Sequence, residues 1–290
     1  MRFGLTIFIL LLVSFSPYLF STEKINEQFE IVSVAKRTGR TLTFNQLVQE
    51  IKNNQVIYIG ENHDNSSHHQ IQLYIIKTLY NQNKRIAIGM EMFQSKFQNT
   101  VNDYIFGNIS EKKFLKKTEY NKRWGYDYSL YKPLIDFAKT NNVPVIALNI
   151  ESEIIKNISN KGISKLHASD LNKLPKHINF TDKNYRQFLY EIFKDHPNQN
   201  KKSFQKFYSI QLVWDEYMAE RIDSFLRQNK EYQVVILAGN GHIVHGYGIP
   251  QRLFMRNKIE YTAVLNDVEY EKEISDFIIH SDKREANINK

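Results

Sequence analysis

The 290-residue chain contains no cysteine. Its absence removes disulfides, thiolate nucleophiles and Cys-ligated metal centres, and it excludes a lipid anchor on an N-terminal cysteine. It does not separate an oxidising from a reducing compartment. Other signatures are missing too. No serine stands in G-x-S-x-G, so there is no serine-hydrolase elbow, and H-E-x-x-H does not occur. Gly239-Asn240-Gly241-His242 falls short of G-x-G-x-x-G because position 244 is Val244, and no Walker lysine follows, so a nucleotide is not expected. Net charge is +8, but the lysines are scattered. Without a basic stripe or a recognisable module no nucleic-acid partner is expected; a solvated basic face, acidic lipid surfaces or anionic ligands account for the charge.

At the N-terminus, Met1-Arg2 precedes the apolar run FGLTIFILLLVSF, then SPYLFSTEK. A basic start, an apolar stretch and small residues before a polar segment are the pattern of an export signal cleaved near Ser21. The run from Phe3 to Phe15 is short for a membrane span, although extension to Phe20 nearly reaches one, so an uncleaved N-terminal anchor is the alternative. The expected location is the periplasm or a membrane-associated position in the cell envelope.

Hydrophobic residues make up 42% of the chain, with 17 Tyr and 19 Phe. This suffices for one large core, or an α/β domain carrying a smaller subdomain, and so many rings also suit a flat apolar ligand. Apolar runs predict strands at 56–59, 85–90, 143–148, 234–238 and 261–265. Helical spacing predicts a helix over 67–81 and another starting after Thr43, with the longest over 204–226. A further helix starts at Ile249, with Pro250 in its first turn. Strand, helix, strand in the first half is a βαβ unit, which implies parallel pairing. The expected fold is α/β, a mainly parallel sheet flanked by helices, with a helical subdomain at 150–205 inserted between 22–149 and 206–290. Residues 22–40 and the charged tail after Tyr270 are expected to be peripheral.

Chemistry concentrates at two strand ends. The first is Gly60-Glu61-Asn62-His63-Asp64, followed by His68 and His69; the second runs from Gly239 through His242 and His245 to Tyr247. Open α/β sheets place their sites outside the carboxyl ends of their strands. Glu61 and His63 suit a divalent metal or a general acid–base pair, with Glu91, His242 and His245 as further donors. Alternatively Asn62 and Asp64 cap the next helix, His63 only holds the loop, and His68 and His69 are solvated. Tyr247, between Gly246 and Gly248, offers a hard oxygen ligand for ferric or haem iron. Because a free phenol is protonated at neutral pH, iron or a donor such as His242 or His245 would have to hold the phenolate.

The segments GENHDNSSHHQIQ, GMEMFQ, RWGYDYSLYKPLIDFA, VPVIALN, QLVWDEYMAERI and LAGNGHIVHGYGIPQRL occur in this order from about Thr38 to Ile259. Together they resemble the ChaN-like haem-binding family of bacterial iron-uptake proteins. That family lies within a superfamily including Tiki-type proteases, TraB-like proteins and erythromycin-esterase-like proteins. The resemblance implies a haem-binding transport protein rather than an enzyme, with haem held through a tyrosine in a haem-linked homodimer. An outer-membrane haem receptor or a periplasmic haem transporter is the implied partner. Tyr247 is carried over as the iron ligand, although Tyr128 and Tyr131 also match family positions. His242, His245 and His63 are the supporting residues, with Arg252 for a propionate and His196 facing the haem. The Tiki-like branch implies the alternative, a peptidase-like hydrolase binding Mn, Co or Zn through Glu61, His63, Glu91 and His242. The lack of a cysteine departs from the members that are outer-membrane lipoproteins.

Overall fold

A computed structural model describes residues 29–33, 40–194, 200–269, 271 and 273–281. The expected export signal and His196 lie outside the described residues. Eight strands form one sheet: β1 (Glu30–Ser33), β2 (Thr41–Leu42), β3 (Val56–Glu61), β4 (Ile86–Gln94), β5 (Val145–Asn149), β6 (Gln233–Gly239), β7 (Tyr261–Asn266) and β8 (Phe277–His280). The order is β2-β1-β8-β7-β3-β6-β4-β5. From β8 to β5 all pairings are parallel, while β1 joins both β8 and β2 antiparallel.

Alternate residues of the central strands bury against opposite layers, as expected of a parallel sheet covered on both faces. Ile57 and Ile59 of β3, with Val235 and Leu237 of β6, pack beneath the helices Phe44–Ile51, Ser66–Gln82 and Tyr128–Thr140. Val56, Tyr58, Val234 and Ile236 face the helices Lys201–Gln228 and Ile249–Asn257. The Met218–Ile222 stripe of the long helix is core, as its spacing suggests, with Trp214 and Phe225 packed at its margin. Thr43 caps the first of these helices through a reciprocal capping box with Gln46.

The region 150–205 folds into short helices lying along the first half of the long helix. Ser152–Lys161 buries Ile154 and Ile158 against Val213, and Lys183–Phe193 buries Tyr185, Leu189 and Phe193 against Phe204, Tyr208 and Leu212. The two chain ends correct the expectation of peripheral segments. Phe29 and Ile31 are buried, and β8 adds Phe277, Ile278 and Ile279 to the core. The strand Phe277–His280 is only four residues long and sits in a charged tail, so alternation had little to register.

β3 and β6 lie side by side in the sheet, and the chain leaves them in opposite directions, β3 toward β4 and β6 toward β7. This is a topological switch point, and the crevice outside it is where open α/β sheets bind ligands. The register sets Gly60 beside Ala238 and Glu61 beside Gly239, so both chemical segments emerge at one edge.

Candidate functional site

Glu61 is the buried anchor at the end of β3. One carboxylate oxygen accepts from the His63 Nδ1 at 2.8 Å and from the Tyr131 hydroxyl at 2.6 Å; the other accepts from the Gln72 amide at 2.8 Å. His69 approaches to 3.5 Å. Burial alone would raise this carboxyl, but the hydrogen bonds from His63, His69 and Tyr131 outweigh it and hold the group at about 2. Burial likewise opposes the charge on His63, and the Glu61 bond and the Glu91 charge reverse that and raise its pKa. Trp124 and Tyr126 flank the His63 ring, with centroids 4.8 and 5.0 Å away.

Glu91, also buried, accepts from the Gly239 amide at 2.9 Å. Its other oxygen lies 3.5 Å from the His242 Nε2. His242 donates from Nδ1 to Asp215 at 2.5 Å, and the second Asp215 oxygen accepts from the Tyr185 hydroxyl. Burial works against charge on both partners, but Glu91 and Asp215 raise the His242 pKa well above the usual imidazole range, and His242 lowers that of Glu91. Two histidine–carboxylate pairs therefore converge on Glu91. Gly239 permits this closeness, because a Cβ there would lie 3.0 Å from the His63 ring.

His68 and His69 are both buried, not solvated. His68 accepts the Asn62 backbone N–H on Nδ1 and so carries its proton on Nε2, which donates to Asp267 at 2.7 Å. The helix cap falls to Asn65 rather than Asn62 or Asp64. Asn266 donates to the Gly60 carbonyl at 2.6 Å and Asn240 to the Asn266 carbonyl at 2.8 Å, tying the ends of β3, β6 and β7 together.

The loop after β6 carries a second, distinct surface. His245 adopts a left-handed backbone at φ 56°, with its amide donating to the Ile274 carbonyl at 2.7 Å and its ring to the Glu273 carbonyl at 3.3 Å. This turn sets the half-buried Tyr247 ring 5.4 Å from His245 and 5.8 Å from Phe188. Behind it lies the aromatic cluster of Tyr185, Phe193, Phe204 and Tyr208. The Tyr247 hydroxyl makes no hydrogen bond among the described residues. Arg252 does not present itself to a propionate. It is 3% exposed, donates to the Tyr247 and Gly248 carbonyls, stacks over Tyr185 and lies between Asp182 and Glu216. Its place is behind the loop, holding it.

Of the residues singled out in the sequence, Glu61, His63, Glu91 and His242 come together, and His245 joins Tyr247 instead. Tyr131 is buried on Glu61, away from the loop, and Tyr128 is buried among Tyr120 and Phe114. Sequence reasoning missed Asp215, Gln72 and Trp124. Asp215 had a signal, an acid beside the apolar Trp214–Met218 stripe of a helix.

An open, mainly parallel sheet with charged pairs at its switch point and an aromatic loop beside them defines a ligand-binding α/β protein. The chain matches the family described as haem-binding uptake, Tiki superfamily, ChaN, over residues 47–253, and it belongs to that family. Its fold is similar to that of ChaN of Campylobacter jejuni, in a structure of cofacial haem binding, at a TM-score of 0.71 and 20% identity, covering 88% of this chain and 97% of that one. A mutant erythromycin esterase EreC in its open conformation aligns at a TM-score of 0.49 and 12% identity over 86% of this chain and 82% of that one. No match was found among curated proteins.

Proposed function

We propose that the protein binds haem at the loop after β6, with the Tyr247 phenol as iron ligand, in the service of bacterial iron acquisition. Family membership supports haem as the ligand. The choice of residue rests on one observation: the Tyr247 ring forms a cluster with those of His245 and Phe188, and its hydroxyl has no described partner. These residues fit the group. An unengaged phenol is a hard oxygen donor, and the two flanking rings with the cluster behind them give an apolar wall. When bound, haem supplies a ferric centre for the phenolate and a flat apolar face. Arg252 fixes the main chain at Tyr247 and Gly248, and the Ile274 carbonyl holds the turn at His245.

The N-terminal apolar run supports export to the periplasm or to a membrane-associated place in the envelope. The cofacial haem binding of the Campylobacter jejuni protein supports a haem-linked homodimer, loaded or emptied by an outer-membrane receptor or a periplasmic transporter. Haem added to the mature protein is expected to give a Soret band of tyrosinate type and to shift sedimentation toward the dimer. Tyr247→Phe is expected to abolish both; if both persist, another residue ligates iron.

The convergence of two histidine–carboxylate pairs on Glu91 favours a second reading, a hydrolase working through Glu61, His63, Glu91 and His242. Those groups are bonded to one another, and among the described residues no three or more His, Asp or Glu side chains are arranged to hold a metal ion. The residues as they stand therefore do not fit Mn, Co or Zn, and no step is derived through one. Peptide cleavage that is lost in His63→Ala and survives chelation would support that reading, and protein inert toward peptides would sink it.

A further inference from the structure

At the end of the sheet opposite the strand-end cluster, where β3 and β6 begin, lies a cleft lined mainly by amides. Its volume of about 500 Å³ is within the range of small-molecule sites. Two helices end on it: Lys52 and Asn53 follow Phe44–Ile51, and Gln82 and Asn83 close Ser66–Gln82. Asn54 and Gln55 lead into β3, and Gln233 opens β6. The charged members of the described lining are Lys52 and Glu231, of opposite sign, and Lys52 is engaged by the Gln49 side chain. The cleft beside Arg252 and Arg256, by contrast, is lined by Glu216, Glu220 and Asp223 and pairs its charges internally.

Gln233 is the buried member of the amide set. It is 5% exposed, and its amide nitrogen donates to the Lys52 carbonyl at 2.9 Å and to the Asn54 carbonyl at 2.7 Å. Only the NH2 side of an amide can serve two carbonyls, so these bonds fix which way round the group stands. Its Oε1 is left buried with no partner among the described residues. Buried polar groups are ordinarily paired, so this acceptor requires a donor that the chain does not supply. The groups around it also have capacity to spare. The side chains of Asn53, Asn54 and Gln82 make no hydrogen bond among the described residues. Gln55 spends its nitrogen on the Lys230 and Tyr232 carbonyls, at 2.6 and 3.3 Å, which leaves its oxygen as an acceptor. Asn83 spends its oxygen on the Arg85 amide at 3.0 Å, which leaves its nitrogen as a donor. The half-buried Tyr232 ring, edge-on to Phe225 with centroids 5.6 Å apart, adds an aromatic surface.

A ligand that suits this set donates to amide oxygens, accepts from amide nitrogens and carries little net charge. A hydroxyl does both through one atom, whereas a carboxylate or phosphate group offers acceptors alone. Several hydroxyls on a rigid ring, with a C–H face for Tyr232, describe a pyranose. We propose that this cleft binds a neutral sugar, a mono- or disaccharide whose hydroxyls pair with the amides around Gln233 and whose apolar face lies against Tyr232. The site is at the far end of the strands from Tyr247 and stands independently of the haem reading.

The test titrates the full mature chain by calorimetry with glucose, N-acetylglucosamine, maltose and cellobiose, and with glucuronate as the charged counterpart. Saturable binding of at least one neutral sugar is expected below about 10 mM, with glucuronate bound more weakly. Gln233→Met keeps the volume without the acceptor and is expected to weaken binding about tenfold or more. Because that variant also loses two bonds to the Lys52–Asn54 turn, Asn53→Ala/Gln82→Ala is measured beside it. Both of its residues are exposed and unbonded, so circular dichroism and melting temperature should hold while affinity falls about threefold or more. Tyr247→Phe is expected to leave sugar binding unchanged while it abolishes haem ligation, which separates the two sites. Binding that is absent for all four neutral sugars, equal in the double variant or stronger for glucuronate overturns the proposal.

Discussion

Asp215 has no solvent exposure and receives both the His242 imidazole and the Tyr185 hydroxyl. Removing it leaves the His242 imidazole without the carboxylate hydrogen-bonded to its Nδ1 and leaves a buried phenol without an acceptor. Asp215→Ala is therefore expected to cost about 3 kcal/mol in urea unfolding. Gly248 makes a different demand. A Cβ there would sit 2.1 Å from the His242 carbonyl oxygen, which is main chain and cannot rotate away. Gly248→Ala is expected to displace the Tyr247 loop, costing about 2–3 kcal/mol by denaturant melts and abolishing the Soret band of the haem complex. The two residues also mark what a sequence can disclose. The glycines around Tyr247 announce a loop where backbone must pass closely, whereas Asp215 sits inside a helix whose periodicity was satisfied by its apolar neighbours. Its meaning depends on a histidine 27 positions away, and no local pattern carries that separation.

Among the elements, the five strands β3 to β7 follow from their apolar runs because a parallel strand buried on both faces contributes uninterrupted hydrophobic residues. The strand β4 runs on to Gln94, past the point where its apolar run meets Glu91; its pairing with β5 shifts register between Met90 and Gln94, and the Glu91 side chain takes the Gly239 amide. The short strands β1 and β8 escape notice because each is four residues long and gains its burial from the other through antiparallel pairing. Their contribution is testable at Ile278, which is fully buried beneath the layer of the long helix. Ile278→Ala is expected to lower the unfolding free energy by about 2–4 kcal/mol. A peripheral tail would give less than about 0.5 kcal/mol.

For the whole molecule, the buried charges at the sheet edge set opposing limits on stability as pH changes. Glu61 is held at about 2 against its burial by His63, His69 and Tyr131. Asp267 is likewise held at about 2 against burial by His68 and Ser281. Both carboxyls are depressed relative to the unfolded chain, so their stabilisation is present above about pH 4 and is lost as pH falls toward about 2. Glu61 contributes on the order of 2 kcal/mol, and Asp267, which is partly exposed and screened by solvent, contributes less. His63 and His242 behave in the reverse sense. Their pKa values are raised in the folded protein, so their stabilisation is complete below about pH 6.5, the unfolded value, and fades as pH rises through the folded values. The melting temperature is therefore expected to be highest between about pH 4.5 and 6.5 and to decline on both sides. In Glu61→Gln the acid decline should become shallower, because the variant has no carboxyl to protonate there. The alkaline decline should change as well, since the His63 imidazolium loses the Glu61 carboxylate charge that helps to raise it. An unaltered acid limb in this variant would show that Glu61 is not the group whose protonation loosens the sheet edge.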